Sequence, residues 1–280
     1  MQSHSVATPA IEIATRLDPP PLDFLPLQDP AQMRVFVDET DGLLQLRFDM
    51  ATVQSAMRVA DPIALELEYT RVMMRCLLFN AAPKSMLMIG LGGGSLARYC
   101  HHTMPQTDIT AVEINPHVIA LRERFQVPPD GPRFRVLQAD GAAFIRATAQ
   151  RDGEYGPGQL DVLLIDAFHF DGAPAGINSR AFFQACRKLL SSHGVLVMNL
   201  ESEPELCQPA LHNLSRAFDG ALWSVPCDAT NNRIAFAASK DHLMATMRQA
   251  DARLAALAPI HRDTLTRRDD GRLVFGTLFG

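Results

Sequence analysis

The sequence predicts an α/β fold: a mostly parallel, Rossmann-like sheet preceded by a small N-terminal β element. Two observations carry the prediction. From Lys84 onward the chain repeats strand, glycine or polar turn, helix, the pattern of a parallel sheet with helices on both faces. Before it, two short alternating runs flank an Asp41-Gly42 pair, the signal of a hairpin. A length of 280 residues suits one full α/β domain with a small appended element.

Bulk properties exclude several functions. Hydrophobic residues make up 47% and charged residues 20%, as in ordinary globular proteins. The net charge of −5 offers no broad basic face, so no nucleic-acid partner is expected. The longest buried-looking apolar run, Leu160 to Ile165, is strand-sized, so no membrane association is expected. The first residues hold no basic stretch followed by an apolar one, which argues against secretion. Five scattered cysteines, with no CxxC pair, read as reduced packing thiols and a cytoplasmic location.

The elements follow in order. Residues 1–33 form a leader with Pro19, Pro20, Pro21, Pro26 and Pro30, extended and outside the catalytic core. Residues 34–82 hold the hairpin, Val35–Asp38 against Leu43–Phe48, and a linking helix. That helix is expected to open at Pro62, with Leu65, Tyr69, Val72, Met73 and Cys76 at three- and four-residue spacing. Residues 83–280 form the main domain, with strands at 85–89, 108–112, 134–137, 161–165, 195–199, 221–225 and 234–238. Helices are expected at 96–103, 116–125, 141–150 and 179–190, and the last two strands form an antiparallel pair at the edge.

A nucleoside site is legible at the strand ends. Met86-Leu87-Met88-Ile89 runs into Gly90-Leu91-Gly92-Gly93-Gly94-Ser95 and then a helix, and glycines there let backbone approach a ligand closely. The next strand ends in Glu113, roughly 20 residues on, where an acid binds ribose hydroxyls. The third is followed by Asp140-Gly141, placed to meet an adenine amino group, and the fourth ends in Asp166. Helix capping competes as a role at Glu113 and Asp140, with Asn115 or Asp140 as the cap before the helix that follows. NAD is the rival ligand, but the turn lacks GxGxxG spacing and no second nucleotide half is visible, so an S-adenosylmethionine-type ligand leads.

From about Val35 to Ser239 the chain resembles the spermidine synthase family of polyamine aminopropyltransferases, in a divergent spermidine synthase-like branch. The family joins an N-terminal β element to a class I methyltransferase-like domain. Gln54 resembles its nucleoside-touching glutamine, Glu66 and Tyr69 its E-x-x-Y lining the amine pocket, and Gly90 through Arg98 its glycine motif. Glu113, Asp140-Gly141 and Asp166 resemble its ribose acid, adenine-binding pair and first loop aspartate. Asn199-Leu200-Glu201-Ser202 resembles its Q-x-E-S, and Pro226 with Ile234-Ala235-Phe236 its closing motif. The chain departs at Gly93, where the family has the aspartate that holds the donor's amine, at His169 for the second loop aspartate, at Tyr69-Thr70-Arg71 for Y-H-E and at Asp228 for a tyrosine. The resemblance implies decarboxylated S-adenosylmethionine (or S-adenosylmethionine) as co-substrate, no tightly bound cofactor, a small-molecule amine acceptor and a homodimer.

Aminopropyl transfer needs a neutral amine, whereas an alkylamine has a pKa of roughly 10 in water. Asp166 is the expected proton acceptor, with Phe168 and Phe170 supplying partial burial, and His169 is a second acid/base candidate or a plain loop residue. Asp171, Glu201 and Asp228 suit a cationic substrate tail or an ordinary acidic surface. No metal-ligand spacing surrounds His101-His102. Three functions remain open: aminopropyl transfer to a di- or polyamine, methyl transfer from S-adenosylmethionine to a small molecule, and a non-catalytic protein of the same fold.

Overall fold

A computed structural model of the chain describes residues 33–48, 53–152, 155–167, 176–227, 229–267 and 278–279. The leader before Met33, and Phe168, His169, Phe170, Asp171 and Asp228, lie outside the described residues.

The N-terminal β element has three strands, β1 (Phe36–Thr40), β2 (Leu43–Arg47) and β3 (Val53–Arg58), paired antiparallel in that order. The turn between β1 and β2 places Asp41 at φ 52° and Gly42 at φ 72°, the left-handed pair that suits the twist of a tight hairpin. The third strand adds to the expected hairpin. Ser55, Ala56 and Met57 along it are buried.

The linking helix α1 runs only over Glu68–Met73, followed by a 3-10 turn over Met74–Leu78. The expected start at Pro62 is too early. Arg71 Nη1 donates to the Leu65 and Glu66 carbonyls at 2.7 and 2.8 Å, which holds that stretch in a non-helical path. Leu65 is buried there all the same, so its apolar spacing reported burial and not helix.

The main sheet is built from β4 (Ser85–Ile89), β5 (Asp108–Glu113), β6 (Phe134–Gln138), β7 (Leu160–Ile165), β8 (Leu190–Glu201), β9 (Leu222–Pro226), β10 (Asn232–Ala238) and the two-residue β11 (Leu278–Phe279). Its order is β11-β9-β10-β8-β7-β4-β5-β6. The five strands from β8 to β6 in that order are parallel. The last two expected strands do add an antiparallel margin to the parallel strands, with the two-residue β11 outside β9. Strand β10 lies between β8 and β9 and runs antiparallel to both.

Helices α2 (Ser95–Thr103), α3 (Pro116–Ala120), α4 (Gly141–Thr148), α5 (Arg180–Leu189), α6 (Pro204–Ala217), α7 (Lys240–Arg248), α8 (Ala250–Ala256) and α9 (Pro259–Leu265) complete the described elements. Alternate residues of each central strand feed two cores. Met86, Met88, Val162 and Leu164 pack on the side of α1 and α2, and Leu87, Ile89, Leu163 and Ile165 on the side of α4, α5 and α6. Helix α3 stops at Ala120, short of the expected Phe125. The chain beyond it turns, with Gln126 at φ 50°, and carries Phe125 and Val127 beneath the glycine loop that follows β4.

Candidate active site

Sheet order reverses between β4 and β7, and ligands of open α/β sheets bind at such a switch point, beyond the carboxyl ends of the strands. A cavity of about 710 Å³ opens there. Gly90, Glu113 and Asp166 form its floor and Asp140 its rim, from the ends of four successive parallel strands, and β8 adds Asn199 and Glu201. The N-terminal element forms the opposite wall with Gln54 and Ser55 of β3 and Tyr69 of α1, and Thr230, Asn231 and Asn232 close the far side.

The glycine loop is tight for reasons visible at each position. Gly90 has φ +95°, and a Cβ there would stand 2.1 Å from the Asp166 carbonyl oxygen. Strands β4 and β7 therefore meet backbone to backbone at the centre of the site. A Cβ on Gly93 would lie 2.7 Å from Ser55 Oγ and 3.0 Å from the Phe125 ring, so this position has no room for a carboxylate as the chain stands. Gly93 and Gly94 support the loop and do not line the cavity, whereas Gly90 and Gly92 do. Arg98, itself buried, holds the loop from behind: its guanidinium donates to the carbonyls of Gly93, Phe125 and Pro62.

Glu113 is buried at the end of β5. Its Oε2 accepts from Leu91 N at 2.9 Å and its Oε1 from Asn115 N at 2.8 Å. Burial pushes its carboxyl up, and the surrounding backbone N–H groups oppose that rise. Asn115 is the cap, as expected: its Oδ1 accepts from His117 N at 2.8 Å at the start of α3. Asn115 Nδ2 also donates to the Met33 carbonyl at 3.0 Å, which brings the first described residue beside this loop. Asp140 does cap: its Oδ1 accepts from Ala143 N at 2.6 Å at the start of α4, and it remains exposed at the cavity rim. Gly141 is needed beside it, because a Cβ would meet Ile89 Cγ2 at 2.3 Å.

Asp166 is the most constrained acid. Its Oδ1 accepts from Asn199 Nδ2 at 3.0 Å and its Oδ2 from the Tyr69 hydroxyl at 3.3 Å. Tyr69 also reaches the Gln54 carbonyl at 3.1 Å, which ties α1 to β3. Burial pushes the Asp166 carboxyl up to about 6. The Asn199 and Tyr69 hydrogen bonds oppose the rise and Glu113 adds to it. The Tyr69 hydroxyl is pushed well above its ordinary range, first by burial and then by the charge of Asp166. Glu201 lines the cavity beyond, its carboxyl raised by burial and by Glu203.

Of the described site candidates, Glu66 stands apart. Its oxygens accept from Arg58 Nη2 at 2.7 Å and Nε at 3.1 Å, and it is not among the lining residues. The acid beside it, Glu68, is buried and accepts from Ala229 N at 2.6 Å, which anchors the segment bearing Thr230, Asn231 and Asn232. Asn199 had no role assigned from sequence, yet it stands two residues before Glu201 on a strand, the spacing that shares a face. Nothing local in the sequence points to Ser55 or Asn232, which reach the cavity only through sheet pairing. Among the described residues no group of three His, Cys, Asp or Glu is arranged to hold a metal ion, and no helix is long and apolar enough to cross a membrane.

Strand order, a glycine loop at the switch point and acids on successive strand ends define a methyltransferase-like α/β protein. Solved structures agree: human methyltransferase-like protein 13 in complex with SAH matches with a TM-score of 0.58 and 24% identity, over 69% of this chain and 94% of that one. A probable spermidine synthase from Corynebacterium glutamicum matches at 0.63 and 18%, over 84% and 88%. The spermine/spermidine synthase domain model matches residues 66–242. The polyamine aminopropyltransferase of Neisseria meningitidis is 36% identical over 200 residues, covering 71% of this chain and 73% of its own length. The chain belongs to the spermine/spermidine synthase family and is a transferase.

Proposed function

We propose that the protein transfers an aminopropyl group from decarboxylated S-adenosylmethionine to a di- or polyamine. The carrying observation is Asp166, held by Tyr69 and Asn199 at the bottom of the cavity, against the glycine loop. In the reaction the neutral acceptor nitrogen attacks the aminopropyl carbon beside the sulfonium. The new C–N bond forms as the C–S bond breaks, methylthioadenosine leaves, and the proton on the nitrogen passes to Asp166. A carboxyl near 6 is ionised at neutral pH, yet it is a better proton acceptor than an ordinary carboxylate. Both oxygens are held in place by neutral donors, and each keeps a lone pair for the cavity side.

In this reading Glu113 binds the ribose hydroxyls, Asp140-Gly141 the adenine, and Gln54 with Gly90 and Gly92 the rest of the nucleoside, while Gly93 and Gly94 shape the loop behind them. Glu201 faces the cationic tail of the acceptor, joined by Asp171 and Asp228. His169 serves as an auxiliary acid/base group. A homodimer in the cytoplasm completes the reading, and five buried, free cysteines fit a reducing compartment.

One observation favours a second reading. With no acid at Gly93, an ammonium on the donor loses a partner, and a donor that keeps its carboxylate meets no repulsion there. That suits methyl transfer from S-adenosylmethionine. Incubation with each donor and a panel of amines separates the two. Methylthioadenosine as the nucleoside product is the expected result, and S-adenosylhomocysteine in its place would establish methyl transfer.

The nucleoside role of Glu113 has its own measurement. Glu113→Ala removes the charged acceptor of the ribose hydroxyls, a loss of about 1.5–3 kcal/mol. Calorimetry should find methylthioadenosine binding weakened at least tenfold, with far-UV circular dichroism unchanged. Unaltered affinity would remove Glu113 from the site.

A further inference from the structure

Behind Asp166 stands a pair of amides whose order is itself informative. Asn232 Nδ2 donates to Asn199 Oδ1 at 3.0 Å, and Asn199 Nδ2 donates to Asp166 Oδ1 at 3.0 Å. Asn199 is almost completely buried, at 3% exposure. A side-chain amide presents two N–H donors at one end and an acceptor oxygen at the other. Turned over, Asn199 would place its oxygen against the Asp166 carboxylate, lone pairs against negative charge. The carboxylate thus favours one orientation of Asn199, and Asn232 favours the same one by occupying the opposite end.

We infer that Asn232 is a positioning residue for the transfer reaction: its amide locks Asn199 with the N–H donors on Asp166, and this keeps the carboxylate available as proton acceptor. The inference rests on the role of Asp166 given above. Asn232 is well placed for the task, because its backbone is fixed on both sides. Its N–H donates to the Thr230 carbonyl at 2.8 Å, and its own carbonyl accepts from Cys227 N at 2.9 Å and Ser202 Oγ at 2.8 Å. Strand β10 carries it opposite Glu201 of β8, so the sheet register that inserts β10 beside β8 also delivers the amide.

The other groups facing Asp166 do not replace this contact. Tyr69 of α1 holds the second oxygen, and Glu113 of β5 acts on it only as a charge. Asn199 is the stronger of the two hydrogen-bonding influences that favour the ionised form, against the burial that opposes it. Loss of the lock therefore moves Asp166 toward its protonated form at a given pH.

The experiment is a titration of the Asp166 carboxyl carbon by NMR in the parent, Asn232→Ala and Asn232→Asp proteins, with the pH profile of kcat/KM recorded beside it. The NMR midpoint does not depend on which transfer the protein performs, so a failure of the functional reading and a failure of this inference are separable. The parent midpoint is expected near 6. In Asn232→Ala only the carboxylate itself holds the Asn199 amide, which can then turn its oxygen to accept from the protonated acid, and the midpoint should rise by about half a unit or more. In Asn232→Asp the new carboxylate draws the Asn199 donors to itself, and the rise should be larger. The acid limb of kcat/KM should move with it, so that activity falls several-fold at pH 6 and recovers at pH 8, with methylthioadenosine affinity unchanged. A midpoint that moves only in Asn232→Asp would mean that added charge and not amide orientation is responsible, and the inference fails. It fails equally if activity drops by the same factor at every pH, since that is the mark of a merely structural residue. If Asn232→Ala does not fold, Asn232→Ser keeps a hydroxyl donor toward Asn199 and should keep the parent midpoint; a raised midpoint there would overturn the lock.

Discussion

Asp166→Asn should lower turnover about 100-fold or more, while making the protein more stable at neutral and alkaline pH. The loss follows from removal of the proton acceptor, since an amide cannot take the proton that leaves the attacking nitrogen. The gain follows from burial. The folded carboxyl sits near 6 against an ordinary value of 3.8, so ionisation in the folded protein is unfavourable relative to the unfolded chain. Because the folded value is the higher one, the stabilising contribution of the carboxyl is complete below about 4 and is lost as pH rises through about 6. At pH 8 the native protein carries the whole cost, about 3 kcal/mol as an upper figure from a shift of about two units. Asparagine fits the same space, accepts from Asn199 through its oxygen and leaves Tyr69 bonded to the Gln54 carbonyl. Thermal unfolding should therefore show a higher Tm for Asp166→Asn at pH 8 and almost no difference at pH 4. A mere capping residue would give near-normal turnover, which would remove Asp166 from the mechanism and weaken the transfer reading as a whole. An equal Tm at both pH values would show that the carboxyl is not held in a desolvated state.

Gly90→Ala should be the most damaging single methyl in the described structure. Its Cβ would stand 2.1 Å from the Asp166 carbonyl oxygen and 2.8 Å from the carbonyl carbon, and neither can move without parting β4 from β7. The backbone strain at φ +95° adds to the contact. Overpacking alone typically costs about 1–3 kcal/mol where side chains can adjust, and here the obstacle is backbone. The expected outcome is insoluble protein, or soluble protein that no longer binds nucleoside. Gly42→Ala is the control: it has φ +72° but nothing within 4 Å of its Cβ, so it should cost only about 1 kcal/mol from the left-handed conformation. Similar losses of Tm in the two variants would mean that β4 and β7 are not in contact at Gly90.

Much of this site was legible because its parts are local. The run from Met86 through Ser95 announces a strand, a turn that only glycine can make and a helix, and Glu113, Asp140 and Asp166 each stand where one element ends. What stayed hidden depends on neighbours far along the chain. The hydrophobic pattern of 234–238 marks a strand but not its place, and only pairing shows that β10 sits between β8 and β9. Periodicity misled at Pro62, where Leu65 is buried in a non-helical stretch pinned by Arg71. Helix α6 is not among the expected helices, and it holds Pro209 in its interior, where proline removes a backbone donor. Glu66 and Glu68 show the limit most plainly. They differ by two positions, yet one pairs with Arg58 in the N-terminal sheet and the other anchors Ala229.

Helix α1 has a consequence for the order in which the molecule comes into being. Its six residues join Asp166 through Tyr69, across 97 positions of sequence, and Ala229 through Glu68, across 161. Contacts of such span close large loops and form slowly, after short-range pairs such as β1 with β2. During synthesis the strands of the glycine loop can associate while the wall of the cavity still lacks its partner, because Ala229 has yet to emerge. A chain halted before residue 229 would therefore hold the strands of the glycine loop but lack the segment, anchored through Ala229, that closes the far side of the cavity.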